Sequence, residues 1–209
     1  MFNFLTGSVS KLSVSLKKSF EKLPVDPFQV SLKKPFRYRK FTNVKFKNHS
    51  FDSYLDGSFY QTKKINRYVG GKLRIYKSID KLVIDEIILL FKKEFQSNLK
   101  FKSYELGIHQ IRIISSKDIV GYPVPEGWHK DGFDFVILLN INTKNIIGGI
   151  SRIREKLNDN YDHFSKLLKS GEYIFINDKK YFHYADPINV KNINKKGTRD
   201  IFVLTIKKI

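Results

Sequence analysis

A mainly β fold with flanking helices, arranged as a sandwich or jelly roll, is the class that this sequence predicts. Three observations carry it. Short runs of β-branched and aromatic residues recur along the 209-residue chain. Gly, Pro and Asn-Asp turn signals separate them, and the strand–helix–strand rhythm of a parallel sheet is missing. The length suits one domain with its own core, or one domain with an added N-terminal segment.

The elements follow in chain order. Phe2, Leu5, Val9, Leu12 and Leu16 recur every three or four residues, which predicts an amphipathic helix within residues 1–30. These residues are read as an N-terminal helical extension packed on a main domain of residues 31–209. The segment has no Arg, and no acidic residue before Glu21, a composition that a targeting peptide shares. It lacks the long apolar core and small-residue cleavage site of a secretory signal. Pro24, Pro27 and Pro35 punctuate the entry to the main domain.

From Phe36 to Tyr76, aromatic and β-branched residues alternate with Arg and Lys, as in Phe36-Arg37-Tyr38-Arg39-Lys40-Phe41, which predicts strands with one wet face. Asn66 through Gly70-Gly71 to Arg74 reads as a turn. Ser78 is the expected cap of a helix from Ile79 to Asn98, with Leu82, Val83, Ile84, Ile87, Ile88, Phe91 and Phe95 as the apolar side that braces a sheet. Tyr104 to Ile114 reads as a strand, with Gln110 and Arg112 on one face and His109, Ile111 and Ile113 on the other.

Pro123, Pro125 and Gly127 form a loop leading to His129, followed by a strand over residues 133–141. Ile147-Gly148-Gly149-Ile150-Ser151-Arg152-Ile153 predicts a strand that opens where backbone or ligand approaches closely. A Lys-rich helical piece is expected from Arg154 to Lys169, with His163 at its surface. Gly171 to Asn177 returns to strand, Asn177-Asp178 turns tightly into the strand of His183, and a last strand runs from Asp200 to Ile206.

The chemistry gathers at the mouth of the 133–141 strand. His129 and Asp131 are two positions apart, so in extended chain they leave the same face and can share one ion. His183 supplies a second imidazole from an aromatic strand. Two His and one carboxylate on one side of a metal, with three positions open, is the facial arrangement that suits ferrous iron; zinc accepts the same donors. Arg199 follows, and its planar fork matches the distal carboxylate of a dicarboxylic co-substrate better than a lysine would. Trp128, Phe133 and Phe135 are candidate walls of the pocket.

Composition narrows the classes. With no Cys, disulfide scaffolds and thiolate-ligated zinc or iron–sulfur sites are excluded, which fits a reducing cytosol and a cytoplasmic placement. No apolar run approaches the roughly 18 residues needed to cross a bilayer, so no membrane partner is expected. The net charge of +19 invites a nucleic-acid reading. Against it, only 8 of the 39 basic residues are Arg, and the Lys are dispersed in pairs such as Lys17-Lys18 and Lys33-Lys34.

His109-Gln110-Ile111-Arg112, Pro125 through Gly132, Gly148-Gly149-Ile150-Ser151, His183 and Gly197-Thr198-Arg199-Asp200 together resemble the Fe(II)- and 2-oxoglutarate-dependent dioxygenases, specifically the bacterial group of free amino-acid hydroxylases that includes isoleucine 4-hydroxylase. The resemblance covers the chain from about Phe36 onward. It implies a cupin-like double-stranded β-helix, with Fe(II) on His129, Asp131 and His183, Arg199 on 2-oxoglutarate, O2 as oxidant and ascorbate as a stimulant. After the Gly pair this chain has Ile150, where the group often has an acidic residue. A small-molecule substrate is expected, a free aliphatic L-amino acid before a nucleic acid or protein. Arg112 is the candidate for its carboxylate, and Glu126 or Asp134 for its ammonium, since charged ends in a partly dry pocket need opposite partners. A non-oxidative jelly-roll metal-binding module is the remaining alternative.

Overall fold

The computed structural model describes residues 3–9, 11–54, 57–63 and 71–209. Its frame is a seven-stranded antiparallel sheet. Along that sheet lie β1 (Phe4–Ser8), β11 (Glu172–Asn177), β7 (Phe135–Lys144), β14 (Gly197–Lys208), β6 (Tyr104–Ser115), β2 (Arg37–Lys47) and β3 (Ser50–Tyr54). Three smaller sheets complete the architecture: β10 (Phe164–Lys166), β9 (Ser151–Arg154) and β12 (Phe182–Ala185) in one, β8 (Ile146–Gly148) with β13 (Ile188–Val190), and β4 (Ser58–Tyr60) with β5 (Leu73–Ile75). The result is the expected mainly β jelly roll.

Period-2 alternation sends the residues of each long strand to two different layers. Phe135, Ile137, Leu139 and Ile141 of β7 join Leu106 and Ile108 of β6 and Phe202, Leu204 and Ile206 of β14 in the main core. This face is covered by α2 (Lys81–Asn98), through Val83, Ile84, Ile87, Phe91 and Phe95, and by Leu16 of α1 (Val14–Lys18). The alternate residues Val136 and Leu138 turn the other way and pack with Ile153, Ile174, Ile176 and Ile201. The functional cavity opens beside that second layer.

Several local expectations are corrected. The N-terminal apolar spacing does not make one helix: Phe4–Ser8 pairs with β11 from Phe4↔Ile176 to Ser8↔Glu172, and helix begins only at Val14, where the Ser13 hydroxyl accepts from the Leu16 N–H. Backbone partners at a sheet edge outweigh the weak propensity of so short a helix. Phe2 lies outside the described residues, as do Asn66 to Gly70 of the expected turn. Asp80, not Ser78, precedes α2, and Leu82 is exposed on its outer side.

The Lys-rich stretch after Arg154 forms turns and β10 instead of a helix. Arg152 and Arg154 both pair with Asp162, while Leu157 and Tyr161 stay exposed, so a helix there would have no apolar face to bury. The wet face expected for β2 is also absent, because Arg37 and Arg39 are buried and look into the cavity.

Candidate active site

Register decides which side chains meet. β14 pairs with β6 so that Arg199 faces Ile113 and Val203 faces His109, and β2 adds Arg37 and Arg39 opposite Ile113 and Ile111. All these residues line one cavity of about 110 Å³, together with Phe59, Gln61, Arg74, Glu126, Leu138 and Ile201. His129, Asp131 and His183 stand in its wall.

The triad is built by backbone. The His129 and His183 main chains exchange two hydrogen bonds, N–H to O at 3.2 and 2.9 Å, which sets the imidazoles side by side with centroids 4.3 Å apart. Gly127, at φ +81°, turns the loop into this bridge, and its carbonyl lies 2.9 Å from Nδ1 of His129. That leaves Nε2 of His129 3.4 Å from Oδ1 of Asp131, while Nε2 of His183 stands 3.5 Å from Oδ2 of the same carboxylate. Asp131 itself is held by a turn at Gly132, φ +84°, whose three consecutive N–H groups from Asp131, Gly132 and Phe133 donate to the buried carboxylate of Asp178 at 2.7–3.0 Å.

The donor set fits a divalent metal. One ligand atom from each of His129, Asp131 and His183 falls within 4.8 Å of the others, and the buried Nε2 of His183 has no hydrogen-bond partner among the described residues. Burial pushes the Asp131 carboxyl up, but the two imidazoles outweigh it and hold the group well below the usual carboxylate range. Burial likewise lowers His183, and the carboxylates of Asp131 and Asp178 overcome it, raising the imidazole to about 10. An ionised carboxylate facing an imidazole that attracts positive charge is satisfied by a cation, with proton release on binding.

Arg199 is fully enclosed, at 2% exposure, and burial lowers its guanidinium to about 10. It donates to Oγ of Ser151 at 2.9 Å and, among the described residues, forms no ion pair and leaves Nε without a partner. The Gly pair lies beside it. A Cβ on Gly148 would sit 2.1 Å from the Pro187 carbonyl, and one on Gly149 would sit 3.6 Å from Cδ of Arg199, so the close backbone approach expected there is realised.

Other candidates lie elsewhere. Arg112 is on the opposite face of β6, directly across from Asp200, and donates to both oxygens of that buried carboxylate at 2.6 and 2.8 Å. A one-residue offset from Ile113 puts it under the helices, which corrects its expected role at the substrate. Asp134 is also misplaced for that role: it pairs with Lys179 and accepts from the Lys208 N–H outside the cavity. Trp128 packs on Tyr184 with Arg154 4.5 Å above its ring, Phe133 stacks on Phe59, and Phe135 belongs to the main core, so none of the three lines the cavity. Glu126 does line it. His109 is a wall residue too, neutral because burial and then Arg39 hold its imidazole well below the usual range.

The Arg112–Asp200 pair predicts its own test. Arg112→Leu strands a carboxylate that is 1% exposed, costing about 3 kcal/mol of stability, since breaking one side of a buried pair leaves an uncompensated charge. Co-substrate affinity should be unchanged. Urea denaturation and 2-oxoglutarate titration read the two effects, and a stable variant with weakened binding would return Arg112 to the site.

A His–Asp–His cluster that could hold a metal from one side, with a buried arginine in the same cavity, on a jelly roll, is the arrangement of the non-haem iron oxygenase class. The chain belongs to the 2OG-Fe dioxygenase family, whose model matches residues 17–205. It is 30% identical over 180 residues to L-isoleucine-4-hydroxylase of Bacillus thuringiensis, covering 81% of this chain and 71% of that protein. Among solved structures, a bsmA homolog from Methylobium petroleophilum superposes with a TM-score of 0.78 at 20% identity, over 93% of this chain and 80% of the other. IDO from Bacillus thuringiensis superposes with a TM-score of 0.76 at 20% identity, over 99% and 94%. The protein is a 2-oxoglutarate-dependent dioxygenase, using Fe(II), 2-oxoglutarate and O2 as its family does. Among the described residues no helix is long and apolar enough to cross a membrane.

Proposed function

We propose that the enzyme hydroxylates a free aliphatic L-amino acid. The observation that carries this reading is the character of the cavity beside the triad. At about 110 Å³ it has room for a small molecule, and Ile111, Ile113, Val124, Leu138, Ile201 and Val203 give it an aliphatic wall. The likeness to L-isoleucine-4-hydroxylase supports the same substrate class.

In this reading His129, Asp131 and His183 hold the iron, and Arg199 receives the distal carboxylate of 2-oxoglutarate. The bound iron and co-substrate supply oxidative decarboxylation coupled to insertion of oxygen into a C–H bond. The chain's own part is placement. Ser151 orients the Arg199 fork, Asp178 fixes the turn that carries Asp131, and the aliphatic wall keeps water from the C–H bond presented to the metal. Glu126, a cavity carboxylate with no ion pair among the described residues, is the partner for the substrate ammonium.

The test is oxygen uptake and succinate release across free L-amino acids, with iron and ascorbate present and products identified by mass. An aliphatic amino acid should give succinate and hydroxylated product in equal amounts, with rates barely changed between about 50 and 200 mM salt. Failure of every amino acid to raise succinate above the substrate-free rate would sink the reading. A requirement for DNA or RNA, with steep salt dependence, would replace it with a polymer substrate.

A further inference from the structure

Two buried arginines in the cavity wall have no carboxylate partner among the described residues and no task in holding iron or co-substrate. Arg39 and Arg74 are 8% and 4% exposed, and both line the cavity. Arg39 donates to Nδ1 of His109, and its guanidinium lies 4.7 Å over Tyr76. Arg74 donates to Oε1 of Gln61 at 2.7 Å. Neither forms an ion pair among the described residues, and Nε of each is buried without a hydrogen-bond partner. Arg37, on the same face of β2, differs in this respect, because it is paired with the buried Asp26 at 2.8 Å.

The two free forks occupy one corner. Their guanidinium carbons lie 5.9 and 4.5 Å from the centroid of the same Phe59 ring. Gln61 ties this corner to the triad, since its amide nitrogen donates to the Asp131 carbonyl while its oxygen accepts from Arg74. Guanidinium keeps its charge when buried, so two forks that meet no carboxylate among the described residues are unfavourable against one ring until an anion joins them. Burial is the main cause that lowers the hold of Arg74 on its proton; Arg39 adds to it, while the Tyr76 hydroxyl opposes it. Planar forks favour carboxylate, which each can meet with two parallel N–H groups.

We infer that Arg39 and Arg74 form a carboxylate clamp for the substrate, which makes the substrate class a small organic acid seated with its carboxylate against Phe59. This rests on the small-substrate reading above and deepens it. With Glu126 a cavity carboxylate that has no ion pair among the described residues, the clamp also fixes the direction in which a zwitterion enters: carboxylate toward β2 and β5, ammonium toward the loop of Glu126.

The experiment is calorimetric titration of protein loaded with Zn(II) and 2-oxoglutarate, so that binding is read without turnover. The probes are L-isoleucine, L-isoleucinamide, which lacks the carboxylate, and 3-methylpentanoate, which lacks the ammonium. Both carboxylates should bind, and L-isoleucinamide should bind about tenfold or more weaker than L-isoleucine, as loss of a charge-assisted bidentate contact requires. Arg39→Gln and Arg74→Gln should each lower carboxylate affinity by a similar factor and leave amide and 2-oxoglutarate affinities unchanged, which also reports that the variants are folded. The amide comparison needs no variant at all. Equal binding of L-isoleucine and its amide would overturn the clamp and leave the amino-acid reading standing. Binding of 3-methylpentanoate but not L-isoleucine would uphold the clamp and remove that reading. Binding of neither carboxylate, or undiminished carboxylate binding by both variants, would overturn the clamp.

Discussion

Alanine at His129, Asp131 or His183 should each abolish Fe(II)-dependent succinate formation and weaken metal affinity by more than about a hundredfold. Residues that merely orient a metal ligand are worth about ten- to a hundredfold, and on the proposed reading a ligand itself is lost from a set of three. The remaining pair could not hold iron against water and the co-substrate at once. The fold should survive, because His129 and Asp131 are only half-buried and the His129–His183 bridge is made by backbone, not by rings. Metal titration with circular dichroism of the apoprotein checks both halves. A variant that binds iron at full strength would remove its residue from the triad.

Arg199→Lys should raise the Michaelis constant for 2-oxoglutarate ten- to a hundredfold and change metal affinity little. A buried charge-assisted contact contributes about 1.5–3 kcal/mol, and an ammonium offers a point charge in place of the fork that the enclosed site is shaped around. The rival explanation, that Arg199 exists to form an internal ion pair, has lost its partners among the described residues: Asp200 is occupied by Arg112 on the other face, and Glu126 forms no ion pair there. Titration of 2-oxoglutarate into the metal-loaded protein measures the effect. Unchanged affinity would leave Arg199 as a partner of Ser151 alone.

Much of the fold was legible because period-2 runs in the long strands are strong signals, as in Phe135 to Ile141 and Gly197 to Ile206. The metal candidates were legible because His129-x-Asp131 lies just before such a run and His183 lies within another. The errors arose where pairing partners had to be known. Arg112 and Arg199 were both expected beside the ligand, yet the register sets Arg199 opposite Ile113 and Arg112 opposite Asp200, so the two must face apart. The period-2 division of that strand already held the better choice, the face of His109, Ile111 and Ile113. Arg37 and Arg39 passed for wet-face residues because alternation with aromatics looks the same whether the charged side meets solvent or a cavity. Phe59, Gln61 and Arg74 come from short strands with weak patterns, and Asp178 read only as a turn residue. Its grip on three successive N–H groups is a tertiary fact.

The placement of Phe4–Ser8 beside β11 matters beyond the topology of the sheet. β11 carries Tyr173-Ile174-Phe175-Ile176, an uncharged run of high β-propensity whose outer backbone groups are occupied by β1. Stripped of that cover, the run would become an open edge of the kind that recruits strands from other molecules. The first strand is therefore an aggregation guard, and the start of the chain is a poor place to trim when the protein is shortened for crystallisation or fused to another domain.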